Sequence, residues 1–218
     1  FTPKRGEIYR AKISLENDTK FNSKLPKVKT KGITIRVNNF KKDWVFIELA
    51  TNEATLPSIK GKIMKLLVHQ NGIAKIFPVT FNNTTERISI EKKLLFKGVN
   101  TITLFDDKTP VLERMFFNEI ALTDYKIRVD FNEKQGDSLS YQLNCQLKDS
   151  IILSASISVL PKGTKSYNPE HSIISAFYLK PYLKGPIENP RYYFENIDRK
   201  KKFALDLLLL TQGWSRYN

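Results

Sequence analysis

Apolar and polar residues alternate with a period near two along most of the first ~120 residues, the spacing that gives a strand one buried and one wet face. Residues 7–15 (EIYRAKISL) and 33–40 (ITIRVNNF) show it first. The same texture recurs at 44–50, 63–68, 73–81, 87–90, 100–105 and 111–117. Between these runs lie turn-forming pairs: Asn71-Gly72, Asn82-Asn83, Lys97-Gly98 and Asp106-Asp107. Asn71-Gly72 is the sharpest, because a two-residue hairpin needs positive backbone angles that Asn and Gly tolerate. Eight short strands with no amphipathic helix among them predict an antiparallel, immunoglobulin-like sandwich over 1–123.

A second set of strand-like runs follows at 126–131, 139–147 and 151–160, broken by Gln135-Gly136-Asp137 and Lys148-Asp149-Ser150. Asn168-Pro169-Glu170 then carries an N-cap residue, a proline at the first helical position and an early acid, so a helix is expected over Ser172 to Tyr182, ending at Pro181. These elements define a smaller β-sandwich-like domain with a helix over 124–184. From 185 to 218 the texture is that of a helical connector. Asp198 can cap a helix running through Lys202 to Thr211 and stopping at Gly213. Its apolar residues cover almost every face, which requires a partner, and Arg199 to Lys202 in its first turn oppose the helix dipole. Phe203, Leu207, Leu210 and Trp214, spaced near one helical face, are expected to dock against the second β-domain or its Tyr192-Tyr193-Phe194 segment.

Composition adds boundaries rather than a function. The 218 residues are 41% hydrophobic and 27% charged, typical of a folded globular chain of one or two domains. The sequence opens at Phe1 without Met or a signal pattern, so the natural start is expected to have been removed, either by processing or by the choice of fragment. The longest apolar run, Leu207 to Leu210, falls far short of the ~20 residues of a membrane-spanning helix, so the chain is not expected to span a membrane itself. One cysteine, Cys145, excludes an intrachain disulfide, and its alternation with Asn144 and Gln146 suggests a buried thiol. The formal charge of +14 could attract a polyanion, but the lysines are dispersed. Residues 1–50 hold twelve Lys/Arg against five Asp/Glu, with Lys24, Lys27, Lys29 and Lys31 alternating with neutral residues as on a solvated edge. Weak, salt-sensitive association without base specificity is expected, and no specific nucleic acid is a partner.

Chemistry-bearing motifs are few. The two histidines, His69 and His171, have no metal-ligand spacing, and there is no calcium loop, nucleophile elbow or phosphate-cradling glycine loop. The expectation is a chain that is not an enzyme, with no catalytic residue, cofactor or metal. Aromatics crowd the C-terminal part: Tyr178, Tyr182, Tyr192, Tyr193, Phe194, Trp214 and Tyr217. They could form a glycan-stacking platform, or cement a domain to its connector, as their alternation with Pro, Gly and Leu favours.

Two stretches carry a resemblance. Gly98 to Phe117 (GVNTITLFDDKTPVLERMFF) resembles the last hairpin of macroglobulin-like domains of bacterial envelope proteins. Lys184 to Phe194 (KGPIENPRYYF) and Asp206 to Tyr217 (DLLLLTQGWSRY) resemble the segment that precedes the plug in large TonB-dependent outer-membrane receptor-like proteins. The resemblance implies an outer-membrane-associated, periplasm-facing protein, of which this chain is a non-catalytic structural or interaction module positioning a membrane part. Its partners would be the plug and barrel of its own chain, with other envelope proteins or glycans as further partners. The connector contacts it implies are Tyr192, Tyr193, Phe194, Phe203, Leu207, Leu210, Trp214, Arg216 and Tyr217. A thioester is not implied, since Cys145-Gln146-Leu147 lacks the Cys-Gly-Glu-Gln motif.

Overall fold

A computed structural model describes residues 4, 6–15, 17–119, 127–145, 157–164 and 168–212. The protein is mainly β, built of several antiparallel sheets consistent with a β-sandwich. Seven strands form its body: β3 (Ile33–Asn38), β4 (Trp44–Thr51), β5 (Ile63–Gln70), β6 (Ile73–Thr80), β7 (Thr85–Glu91), β8 (Gly98–Asp106) and β9 (Thr109–Asn118). They make a three-stranded sheet in the order β3-β4-β7 and a four-stranded sheet in the order β6-β5-β8-β9.

Alternation explains the layering. On β4, Val45, Ile47 and Leu49 are buried while Trp44 and Phe46 on the opposite face are exposed. Met64, Leu66 and Val68 of β5, Ile102 and Leu104 of β8, Ile90 of β7 and Phe116 of β9 meet them in one core. The β5–β6 hairpin turns at Asn71-Gly72, both at positive φ (51° and 79°), as the sequence requires. Asp107, at φ 54°, takes the corresponding place in the β8–β9 turn. A one-turn helix, α1 (Leu56–Ile59), crosses from one sheet to the other and had no sequence signal.

Strand directions fix the path of the chain. Every pair between named strands of the sandwich is antiparallel, and each sheet change uses a short link, so β3 and β9 run the same way. Two hydrogen bonds locate the ends. Gly32 N donates to Thr55 Oγ1 (2.9 Å) where β3 begins, and Asn39 Nδ2 donates to the Phe117 carbonyl (2.9 Å) where β3 and β9 finish. The chain therefore enters the sandwich at one pole and leaves it at the other, ~20 Å or more away for strands of this length.

Several elements differ from the sequence expectation. Residues 10–14 do not join the sandwich: β1 (Arg10–Ser14) pairs with β2 (Lys20–Lys24), which alternation missed, in a separate two-stranded sheet. Following the sandwich, β10 (Ile127–Gln135) and β11 (Ser138–Cys145) pair across the expected Gly136-Asp137 turn. Among the described residues this second set is a two-stranded hairpin, and most of the 151–160 run lies outside them. Its apolar face, with Ile127, Val129, Phe131, Tyr141 and Leu143, is exposed, and Cys145 is only partly buried.

Of the helical part, α2 (Ile173–Tyr178) is capped four residues beyond the expected cap, Asn168. Ser172 caps it, accepting from Ser175 N (3.1 Å), while the Ser175 hydroxyl accepts from Ser172 N (3.0 Å). Reciprocal capping satisfies two helix-end donors, and this outweighs the single signal at Asn168-Pro169. Pro181 sits inside a short 3-10 turn, Lys180–Tyr182, that follows α2. The last helix, α3 (Arg199–Gln212), starts where expected, with Asp198 Oδ1 accepting from Lys201 N at 2.7 Å. No helix among the described residues is long and apolar enough to cross a membrane.

Candidate interface between the sandwich and the C-terminal helix

A second hydrophobic cluster joins the helical segment to the four-stranded sheet. Its buried members are Val99 and Phe117, paired across β8 and β9, together with Leu179, Leu183, Leu205 and Leu209. Val99 and Phe117 lie on the face of the sheet away from the main core. Strand β8 is accordingly buried from Gly98 to Leu104, its polar Asn100, Thr101 and Thr103 included.

Backbone conformation permits the contact. Gly98 has φ 81° and lies so close to Tyr178 that a Cβ added there would sit 2.8 Å from the Tyr178 Cδ1. Only glycine fits both demands. Nearby, Asn71 Nδ2 donates to the Tyr182 hydroxyl (3.0 Å), tying the β5–β6 turn to the same segment. Phe117 and Phe194 pack with ring centroids 5.3 Å apart, a tilted pair. Asn189, in the left-handed region at φ 41°, caps the 3-10 turn Pro190–Tyr193 and carries Tyr193 and Phe194 into the cluster.

Charged groups line the rim of α3 and β9. Arg114 Nη2 donates to Asp206 Oδ2 at 2.7 Å, with both side chains largely buried. Burial pushes the Asp206 carboxyl above its ordinary range, and the Arg114 guanidinium only partly offsets this. Lys202 Nζ donates to Glu119 Oε1 at 2.7 Å, whereas Lys92 Nζ, on a fully buried side chain, lies 3.7 Å from the same oxygen, too far for a hydrogen bond. Burial accordingly lowers the Lys92 pKa against the pull of Glu119. Tyr193 is raised by burial, with Tyr192 and Glu188 adding to the effect.

The basic first turn of α3 is thus accommodated by tertiary partners rather than by the helix dipole. Asp198 caps it, Lys202 reaches Glu119, and Lys201 bonds the Glu195 carbonyl and lies 4.9 Å from the centre of the Tyr192 ring. A small cavity of about 30 Å³ remains between Asn39, Phe40, Phe117, Phe194, Leu205 and Asp206. That is room for one or two waters, and two of the lining residues carry buried oxygens, Asn39 Oδ1 and Asp206 Oδ1, with no hydrogen-bond partner among the described residues.

The structure brings together some of the expected contact residues and not others. Tyr193 and Phe194 belong to the cluster, while Tyr192 stands at its edge, 37% exposed, with its ring 5.4 Å from that of Tyr193. Phe203, Leu207 and Leu210 do not dock: they are 54%, 42% and 47% exposed. The docked face is instead Lys202, Leu205, Asp206 and Leu209, and its partners are β9 and the expected segment carrying Tyr193 and Phe194. Helical spacing selects two apolar stripes on α3 equally well, and the salt bridges at Asp206 and Lys202 choose between them. Trp214, Arg216 and Tyr217 lie outside the described residues. Asp206, an acid embedded in an apolar run, was the one sequence signal for the docked face. Its partner Arg114, 92 residues away, had none.

No family model, curated protein or solved structure matches the chain. Among the described residues, no three His, Cys, Asp or Glu side chains gather in a way that could hold a metal ion.

Proposed function

We propose that the chain is a non-catalytic structural module, a β-sandwich of the immunoglobulin-like, macroglobulin-like kind with its C-terminal helix locked on, which sets the direction in which the polypeptide continues. The observation that supports this is the second hydrophobic cluster with its Arg114–Asp206 pair. A segment that had only to tether would not bury four leucines and an ion pair against Val99, Phe117 and Arg114 of the sandwich. Passage from pole to pole suits a spacer. The resemblance of 184–194 and 206–217 supports placing it in the envelope, on the periplasmic side of the outer membrane, in a TonB-dependent receptor-like protein whose plug and barrel it positions.

The aromatics of the C-terminal part favour this over a glycan platform at the same place, since Tyr178, Tyr182, Tyr193 and Phe194 pack into the cluster. Spin labels at exposed Lys62 and Lys200, each changed to Cys in a Cys145→Ser background, test the idea. A single narrow distance distribution, broadened by Asp206→Ala, is expected. A broad distribution in the parent would show a free tether and overturn it.

A further inference from the structure

The outer face of the three-stranded sheet carries a groove of about 410 Å³ lined by Arg36, Asn38, Phe46, Glu48, Arg87 and Ser89. Cross-strand register explains the lining. Asn38, Phe46 and Ser89 form one row across β3, β4 and β7, and Arg36, Glu48 and Arg87 form the next. Two residues further along β4, on the same face, stands Trp44. Phe46 and Trp44 are 43% and 40% exposed, although valine, isoleucine and leucine fill the core side of the same strand. Two large rings side by side on a wet face are unusual where packing does not demand them.

The polar groups beside them are planar and only partly engaged with one another. Arg87 Nε donates to Glu48 Oε2 at 3.0 Å through one nitrogen, and Arg36 Nη1 lies 3.6 Å from Glu48 Oε1, beyond a good hydrogen bond. Their side chains are 72% and 78% exposed for Arg36 and Arg87, against 30% for Glu48. Two guanidiniums face one carboxylate, leaving a local positive charge next to a ring, with the Asn38 amide and Ser89 hydroxyl in reach of the same space.

We propose that this groove is a binding site for a short acidic oligosaccharide. A pyranose ring offers a C–H face that stacks on Phe46, hydroxyls that pair with Asn38, Glu48 and Ser89, and, in a uronic acid, a carboxylate that a guanidinium binds through two parallel bonds. The groove is also of the size that small ligands occupy. An extended acidic peptide fits less well. Peptides add to an unpaired strand edge, but this groove centres on β4, whose backbone is paired on both sides. The site is separate from the C-terminal aromatics and from the helix interface, so it stands or falls independently of the structural role proposed above.

Titration of the intact chain with tetragalacturonate at ~0.15 M salt tests it, with cellotetraose and a poly-glutamate peptide as comparators. Saturable one-site binding is expected, weakened at least ~10-fold by Phe46→Ala and by Arg87→Gln and unchanged by Lys12→Gln or Lys24→Gln on the β1–β2 hairpin. Both groove substitutions point away from the core, and if Phe46→Ala fails to fold by circular dichroism, Arg87→Gln alone decides. Equal loss from the hairpin lysines, or equal binding of poly-glutamate, would mean diffuse attraction of polyanions and overturn the proposal. Equal binding of cellotetraose, or none of tetragalacturonate at millimolar concentration, would overturn it too.

Discussion

Truncating Leu209 to alanine should destabilise the packing of α3 by ~3–5 kcal/mol, whereas Leu207→Ala should cost less than ~1 kcal/mol. The two side chains are chemically identical and two residues apart, so helix propensity and unfolded-state effects cancel in the comparison. Leu209 is 1% exposed and sits against Val99 and Phe117; Leu207 is 42% exposed. Complete burial of a leucine contributes ~1.5–3 kcal/mol by transfer from water, and the cavity left between sheet and helix raises the cost of truncation to the upper range for leucine. Urea unfolding measures the total. Hydrogen exchange then places the loss, which should appear first in the amides of 199–212, since a docked segment can open before the sandwich does. A larger effect from Leu207→Ala than from Leu209→Ala would refute the assignment of the docked face and restore the stripe of Phe203, Leu207 and Leu210.

Gly98→Ala should destabilise by ~2 kcal/mol or more, because a positive φ and a 2.8 Å approach to Tyr178 act together; thermal unfolding with no loss of stability would contradict the contact. Lys92→Met should be neutral or stabilising, since Glu119 keeps its 2.7 Å bond to Lys202 and a buried ammonium without a hydrogen bond is removed. Lys92 has its folded pKa below the ordinary value, so between the two the unfolded state holds more protons, and the parent gains stability as pH rises through the folded pKa. The parent should therefore close on the Lys92→Met variant as pH rises from the depressed folded-state pKa toward the ordinary lysine value of ~10.4; parallel stability profiles would contradict this.

All seven sandwich strands were legible in the amino-acid pattern, because a core-facing apolar residue recurs at every second position whether the other face is wet, as in β4, or covered, as in β8. The Asn71-Gly72 hairpin and the Asp198 cap were legible for the same local reason: positive φ and a helix-end acceptor are demands on single residues. What the pattern could not decide was partnership. Residues 10–14 alternate as well as any strand of the sandwich, yet they pair with Lys20–Lys24, whose side chains are all exposed and carry no periodic signal. Strand pairing is a matter of which backbone edge lies alongside, and no side-chain period encodes that.

The candidate sites divide in the same way. Tyr193 and Phe194 were legible as packing aromatics, and the all-round apolar character of α3 showed that the helix needed a cover. Which stripe is covered depends on Arg114 and Glu119, brought from β9 and its end to meet Asp206 and Lys202. The groove at Phe46 is a tertiary product too, made by register that lines up Arg36, Glu48 and Arg87 from three strands. Sequence alone determined the sandwich strands and the last helix, because each residue's burial preference acts locally. Tertiary structure decided the surfaces, because they are composed of residues that only the fold makes neighbours.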